Sequence, residues 1–168
     1  MTVPFDVNDP KLRHDFFETI LPGIVSDLDE EANPQWGKMK AQHIVEHFIW
    51  AFRLSTGKIE TACKTPSQLL ERVKRFLYDN RATPHDFKNP MMGDDPMPFE
   101  FPDMSEAKKE FLLELKNYLD YYQRQPDAIH IHPIFGPAGA EEWQRIHFKH
   151  FYHHLLQLNA IAESGTHK

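Results

Sequence analysis

The sequence is short of several features that define large classes of protein. Its single cysteine, Cys63, cannot form an intramolecular disulfide, so we expect a fold held by packing in a reducing, cytoplasmic setting. No apolar run is long enough to span a bilayer, and the first residues lack the basic start and apolar stretch of a signal peptide, so no membrane association is expected. The net charge of −6 leaves no excess of cations to neutralise phosphates, which argues against nucleic-acid binding.

The sequence also lacks segments in which apolar and polar residues alternate with a period of two, so it predicts no sheet of consequence. Proline and glycine instead divide the chain into helical blocks at about 9–21, 38–55, 65–78, 105–122 and 140–162. Asp9 and Ser105 are the predicted N-caps, and Pro22 is expected to interrupt the first block. Five prolines between 84 and 102 indicate a long irregular segment. We therefore predict one all-α domain, 1–168, folded as a four-helix bundle with a long irregular crossover.

Histidine is the unusual component of the composition. The chain has 11, and six of them lie in the two short segments 42–47 and 147–154. On a helical wheel of the last block, His150 and His154 fall within about 20° of a stripe centred on Trp143 and Ile161. Two histidines four residues apart on one helix face can bind the same metal ion. His153 lies about 80° from the centre of that stripe, which makes it a weaker ligand candidate.

The second helical block offers one further ligand. His47 lies on the margin of its apolar face, whereas His43 lies about 40° further out. His47 is therefore the histidine expected to turn into the bundle. For His43, His147 and His153, an ordinary structural or solvated role is the favoured interpretation, because helical spacing alone is weak evidence for ligation. His150 and His154 are different, since a polar pair at the centre of an apolar stripe needs a partner and a metal ion supplies one.

Three neutral imidazoles on a divalent ion leave a net positive centre with at least one open position. Water, a thiolate or a carbonyl could bind there. His153 and Gln157 flank the ligand pair on its own helix, and we expect them to orient the bound ligand rather than to bind the metal.

Two segments also carry a family resemblance. The first is Asn33-Pro34-Gln35-Trp36-Gly37 with its continuation to His47, and the second is His132-Pro133-Ile134-Phe135-Gly136 followed by Glu142-Trp143 and the run from His150 to Gln157. Together they cover about a quarter of the chain, and the combination is more specific than either part. They resemble a branch of the DinB-like superfamily of metal-dependent enzymes.

The resemblance implies a four-helix bundle in which one histidine of the second helix and an H-x3-H pair of the last helix hold a metal ion. Position by position these are His47, His150 and His154. It also implies zinc or nickel as the metal, a small-molecule substrate such as a low-molecular-weight thiol, and either a thiol-dependent transferase or a hydrolase. It supplies no specific reaction for this branch, and it leaves open a homodimer.

Two other functions remain at this point. His43-Ile44-Val45-Glu46-His47 matches the H-x-x-E-H pattern of one class of metalloproteases, in which two histidines bind zinc and the glutamate is the base. A five-residue match is common by chance, and His43 points away from the apolar face. The other alternative is a non-catalytic metal-binding or stress-related protein, which four protein ligands would favour and an open position would not.

Overall fold

The computed structural model describes residues 1–163, and this part of the chain is mostly helical, as predicted. The domain predicted over 1–168 extends at 164–168 outside the described residues. None of the described helices is both long and apolar enough to cross a bilayer. The elements in chain order are α1 (Pro10–Asp15), a π-helical turn (Phe16–Ile20), α2 (Leu21–Asp27), α3 (Ala41–Ser55), a 3-10 turn (Ser67–Leu69), α4 (Leu70–Lys74), a second 3-10 turn (Arg75–Tyr78), α5 (Met104–Arg124), β1 (His130–His132), β2 (Gly136–Ala138) and α6 (Ala140–Gln157).

The first helical stretch begins as predicted and continues without the interruption predicted at Pro22. The side chain of Asp9 accepts a hydrogen bond from the Leu12 amide at 3.0 Å, which caps α1. Pro22 does not interrupt the helix, because α2 follows the π-helical turn without a gap. The Leu21 amide donates to the Phe16 carbonyl five residues back, and this wider turn moves the preceding carbonyls away from the proline ring.

Aromatic side chains hold α3, α5 and α6 together. Phe48 on α3 packs against Phe151 on α6 with ring centroids 4.1 Å apart. Phe52, one turn further along α3, packs against Tyr118 of α5 at 5.0 Å. All four side chains are buried. The contact between Phe48 and Phe151 therefore fixes the faces that α3 and α6 turn towards each other.

The ends of two long helices differ from the sequence prediction. The N-cap of α5 is Asp103, whose carboxylate accepts from the Glu106 amide at 2.9 Å, and the predicted cap, Ser105, lies inside the first turn. Asp and Ser are equally good caps, so composition alone could not choose between them. Helix α6 ends at Gln157 because Asn159 takes the left-handed conformation with φ 54°, a common way to end a helix.

A small hairpin lies between α5 and α6, in a segment for which the sequence predicted no helical block. β1 and β2 pair antiparallel, with His132 opposite Gly136. His132 Nδ1 accepts hydrogen bonds from the amides of Ile134 and Phe135 at 3.0 and 3.2 Å, which closes the turn. Gly136 has φ 68°, a conformation that favours glycine. Each strand has three residues, too few for an alternating pattern to be visible in the sequence.

The predicted irregular crossover is present and forms part of a longer connection without helix or strand, 79–103, between the second 3-10 turn and α5. Its end is anchored to α3 by Glu46, whose carboxylate accepts hydrogen bonds from the amides of Glu100 and Phe101 at 2.7 and 3.2 Å. A salt bridge of 2.7 Å joins Asp95 to Lys38. The segment therefore lies beside the 33–39 loop and the first half of α3.

Candidate metal centre

Three histidines from two helices meet between α3 and α6. Nε2 of His47 lies 2.8 Å from Nε2 of His150, and Nε2 of His150 lies 3.1 Å from Nε2 of His154. The ligand atoms of all three lie within 4.8 Å of one another. The convergence predicted from the helical wheel is thus confirmed, and the group could hold a metal ion.

Local structure explains why these side chains meet. His150 and His154 are one helical turn apart on α6 and therefore project from the same face. His47 precedes Phe48, and the packing of Phe48 on Phe151 brings that part of α3 against the same stretch of α6. Trp50, one turn beyond His47, lies parallel to its ring with centroids 5.8 Å apart and an interplanar angle of 9°.

Burial keeps the three rings neutral. His47 and His154 are buried and His150 is half-buried. Loss of hydration lowers the pKa of His47 to about 4 and holds the pKa values of His150 and His154 well below the usual range. The charge that each ring would place on its neighbours lowers the pKa values further. At neutral pH the three nitrogens are therefore available as lone-pair donors.

The spacing of the nitrogens suits one ion. Imidazole nitrogens about 2.1 Å from a shared ion lie roughly 3.0 to 3.4 Å apart for bond angles between a right angle and the tetrahedral value. The separations of 2.8 and 3.1 Å are close to that range, and the nitrogens of the third pair, His47 and His154, lie within 4.8 Å of each other. A single proton on His150 could serve only one neighbouring lone pair well, whereas a cation could bind all three.

Gln157 fixes the orientation of His154. Nε2 of Gln157 donates to the Trp36 carbonyl at 2.8 Å, which identifies Oε1 as the atom that accepts from Nδ1–H of His154 at 2.7 Å. With its proton on Nδ1, His154 directs the Nε2 lone pair towards His47 and His150. A carbonyl oxygen on the distal nitrogen is the usual support of a metal-binding histidine. Gln157 thus supports a candidate ligand residue, and the role expected from the sequence, to orient the molecule bound to the metal, stays a prediction.

Gly37 makes room for Gln157. The residue has φ 74°, and a Cβ atom there would lie 2.8 Å from Nε2 of Gln157. The amide of Gln35 also donates to the Gln157 carbonyl at 2.7 Å. The 33–39 loop therefore packs closely against the end of α6 and holds Gln157, the residue that orients His154.

His153 lies beside the triad but faces a different set of side chains. Its ring centroid is 5.1 Å from that of His154, 5.5 Å from Trp36 and 6.1 Å from His85. It does not belong to the metal-capable group found among the described residues. The ligand-orienting role assigned to it from the sequence stays a prediction.

Two other histidines have structural roles, in line with the favoured interpretation. His147 is buried, its Nε2 lies 2.8 Å from Oγ of Ser55, and burial holds its pKa well below the usual range. His43 Nδ1 accepts a hydrogen bond from the Lys40 amide at 3.1 Å, which satisfies a free donor at the start of α3. Neither side chain points into the triad.

The same contacts remove the support for a metalloprotease. Of the H-x-x-E-H pattern only His47 lies in the triad, because His43 caps α3. The carboxylate of Glu46 is occupied by the amides of Glu100 and Phe101 and by Gln42.

Sequence comparison adds no relative to this picture. No protein-family model matches the chain, and no curated protein matches it. The DinB-like resemblance therefore stays a prediction, and the assignment of the site depends on its geometry.

Sequence reasoning missed the groups that surround the triad. Trp36, Gly37 and His85 lie in irregular segments, where periodicity gives no information about contacts. Asn33, Pro34 and Gly37 are residue types typical of turns, but they do not reveal that this loop lies behind His154. His85 carried no signal, since it is isolated in the proline-rich segment.

Proposed function

We propose that this protein binds one divalent metal ion through His47, His150 and His154 and uses it to act on a small molecule. The observation that carries the proposal is the convergence of three neutral imidazole nitrogens at separations that suit a shared ion. The DinB-like resemblance supports the same ligands. It also favours a four-helix bundle built on α3, α5, α6 and the first helical stretch, and zinc or nickel as the metal.

A transferase or a hydrolase suits this donor set. A divalent ion on neutral ligands keeps its positive charge, so when bound it supplies Lewis acidity that makes a coordinated thiol or water more acidic. Gln157 would hold His154 in the productive tautomer, and the buried aromatic side chains Phe48 and Phe151 would limit the access of bulk water. A low-molecular-weight thiol is the cosubstrate that the resemblance favours, in a reducing compartment such as the cytoplasm.

A non-catalytic metal carrier fits the site less well. Structural zinc sites use four protein ligands, whereas the metal-capable group among residues 1–163 has three. A three-ligand centre keeps a position for an exogenous molecule. The arrangement therefore favours chemistry on a bound substrate over storage.

The first experiment measures metal binding directly. Apoprotein prepared with a chelator is titrated with Zn²⁺ and Ni²⁺ and compared with His150→Ala and with His14→Ala, a variant of an exposed histidine on α1. We expect one equivalent of tightly bound metal in the wild type and in His14→Ala, and none in His150→Ala. Equal binding by all three proteins would overturn the assignment of the site.

The second experiment tests the open position. The Co²⁺-loaded protein is titrated with low-molecular-weight thiols while the thiolate-to-metal charge-transfer absorption is recorded. We expect a saturable band in the wild type and none in the absence of metal. No band with any thiol, combined with activity on ester or amide substrates, would shift the proposal from transferase to hydrolase.

A further inference from the structure

We propose that His85 and His153 form an entry site that captures a divalent cation from solvent and passes it to the triad. This inference rests on the proposed function, because an entry site has a purpose only if the triad binds metal. The observation behind it is a row of imidazoles that leads from the surface inwards. His85 is exposed, His153 is half-buried and His154 is buried.

The spacing along the row suits ligand exchange. The ring centroids of His85 and His153 are 6.1 Å apart, those of His153 and His154 are 5.1 Å apart, and those of His154 and His150 are 4.8 Å apart. Two imidazoles on one ion have centroids roughly 4.5 to 5.5 Å apart for angles between right and tetrahedral. His85 lies on an irregular segment, so an approach of about 1 Å would let it share an ion with His153.

His85 is held in place by an aromatic stacking contact. Its ring stacks on the indole of Trp36 with centroids 3.7 Å apart and an interplanar angle of 8°. The carbonyl of Trp36 accepts the hydrogen bond of Gln157, which in turn holds His154. One residue therefore positions both the outer histidine and the support of the inner site.

His153 is oriented from its other side. Its ring makes a hydrogen bond with the backbone of Thr83, two residues before His85. A neutral imidazole that donates from one nitrogen presents a lone pair on the other, which is the arrangement of metal-binding histidines. The segment that carries His85 thus also orients its partner.

A site with two protein ligands binds an ion more weakly than a site with three, so an ion captured there would move on to the triad. An ion held beside His154 is presented to it at an effective concentration in the millimolar range, far above that of free metal. The entry site would therefore accelerate loading without changing the affinity of the triad.

The test compares rates with affinities. Loading of the apoprotein with Co²⁺ is followed by stopped-flow absorption for the wild type, for His85→Phe, and for His14→Phe as a matched exposed control. Phenylalanine keeps the ring that stacks on Trp36 and removes the nitrogen ligands. We expect loading to slow by at least about tenfold in His85→Phe alone, because the high local concentration is lost.

The Kd for Co²⁺ distinguishes a role of His85 in metal entry from a role in supporting the triad. If His85 acts only on entry, Kd stays constant and spontaneous release of Co²⁺ slows by the same factor as loading. An unchanged loading rate would overturn the proposal, and so would a Kd weakened by the full factor, since His85 would then support the triad itself. Failure of the wild type to bind Co²⁺ at all would instead refute the proposed function.

Discussion

Gln157 accepts a hydrogen bond from His154 at 2.7 Å and donates one to the Trp36 carbonyl at 2.8 Å. The amide thus connects a loop carbonyl to a candidate metal ligand, and its two ends can be tested separately. Its oxygen selects the tautomer of His154, and its nitrogen ties that choice to the position of the 33–39 loop. A glutamine at the end of a helix has no such role unless the loop approaches closely.

Gln157 and His154 are predicted to differ in their effect on metal binding. His154→Ala removes a ligand and should abolish tight binding. Gln157→Ala removes only the support of that ligand, so metal should remain bound with an affinity about 10- to 100-fold weaker. Elemental analysis and competition with a coloured chelator measure both variants. Equal loss of metal in the two would show that Gln157 is itself a ligand or that its loss unfolds the site.

Gly37→Ala should weaken metal binding, because the substitution changes the loop that holds Gln157. The left-handed conformation costs an alanine about 1–2 kcal/mol, and the new Cβ would displace Nε2 of Gln157, 2.8 Å away. Gly57→Ala is the matched control, because Gly57 has φ 75° and its Cβ would strike His130 at 2.4 Å, on a side chain outside the triad. We expect both to lower the free energy of unfolding and only Gly37→Ala to weaken metal binding. Similar affinity in the two variants would separate the loop from the site.

The triad could be predicted because the repeat of a regular helix determines the direction in which each side chain projects. Ligands four residues apart share a face, and the relative positions of His47 and His43 on the wheel distinguished the inner from the outer histidine. The wheel does not reveal which residues on the opposite side of α6 are buried. Lys149 lies there and is buried, with Nζ bound to the carbonyls of Phe76 and Asp79 at 2.6 and 2.8 Å. Long side chains can be covered by irregular chain, which periodicity does not reveal.

The hairpin and the Trp36 contacts were beyond sequence reasoning for a related reason. Each strand of the hairpin has three residues, and its turn is closed by a histidine side chain rather than by a recognisable dipeptide. The stack of Trp36 on His85 joins two loops separated by many residues. Such contacts depend on the whole fold.

Glu46 is predicted to hold the irregular segment and not to take part in chemistry. Glu46→Ala removes the acceptor for the amides of Glu100 and Phe101, so the 79–103 segment should become more sensitive to proteases. Metal content should stay at the wild-type level. Glu18→Ala, at an exposed position of the first helical stretch, is the control. Loss of metal in Glu46→Ala without loss of folding would bring the carboxylate back into the site.

His147→Phe tests whether a fourth histidine near the triad matters. His147 is buried among aromatic rings, including Phe52 and Tyr118, and its Nδ1 has no hydrogen-bond partner. Phenylalanine would lose the contact with Ser55 but also remove an unpartnered nitrogen, so the stability should change by no more than about 1 kcal/mol. Metal affinity should not change. A variant that folds but no longer binds metal would place His147 in the site.

Acid should destabilise the apoprotein before its carboxylates titrate. Burial lowers the pKa of His47 to about 4 and of His132 to about 3, and holds that of His147 well below the usual range. The unfolded chain therefore binds more protons than the folded one between about pH 6.5 and pH 4, and stability falls as the pH falls through this window. Each histidine that stays neutral in the folded protein lowers the free energy of unfolding by about 1.4 kcal/mol for each pH unit below about 6.5.

Urea unfolding of the metal-free protein at pH 7, 6 and 5 measures this dependence above the range in which ordinary carboxylates titrate. His147→Phe should flatten the curve by the share of one histidine, because that group no longer takes up a proton on unfolding. Stability independent of pH between 7 and 5 would contradict the prediction, since it would mean that the buried histidines are protonated equally in both states. A curve that His147→Phe leaves unchanged would show that this residue is not held neutral in the folded protein.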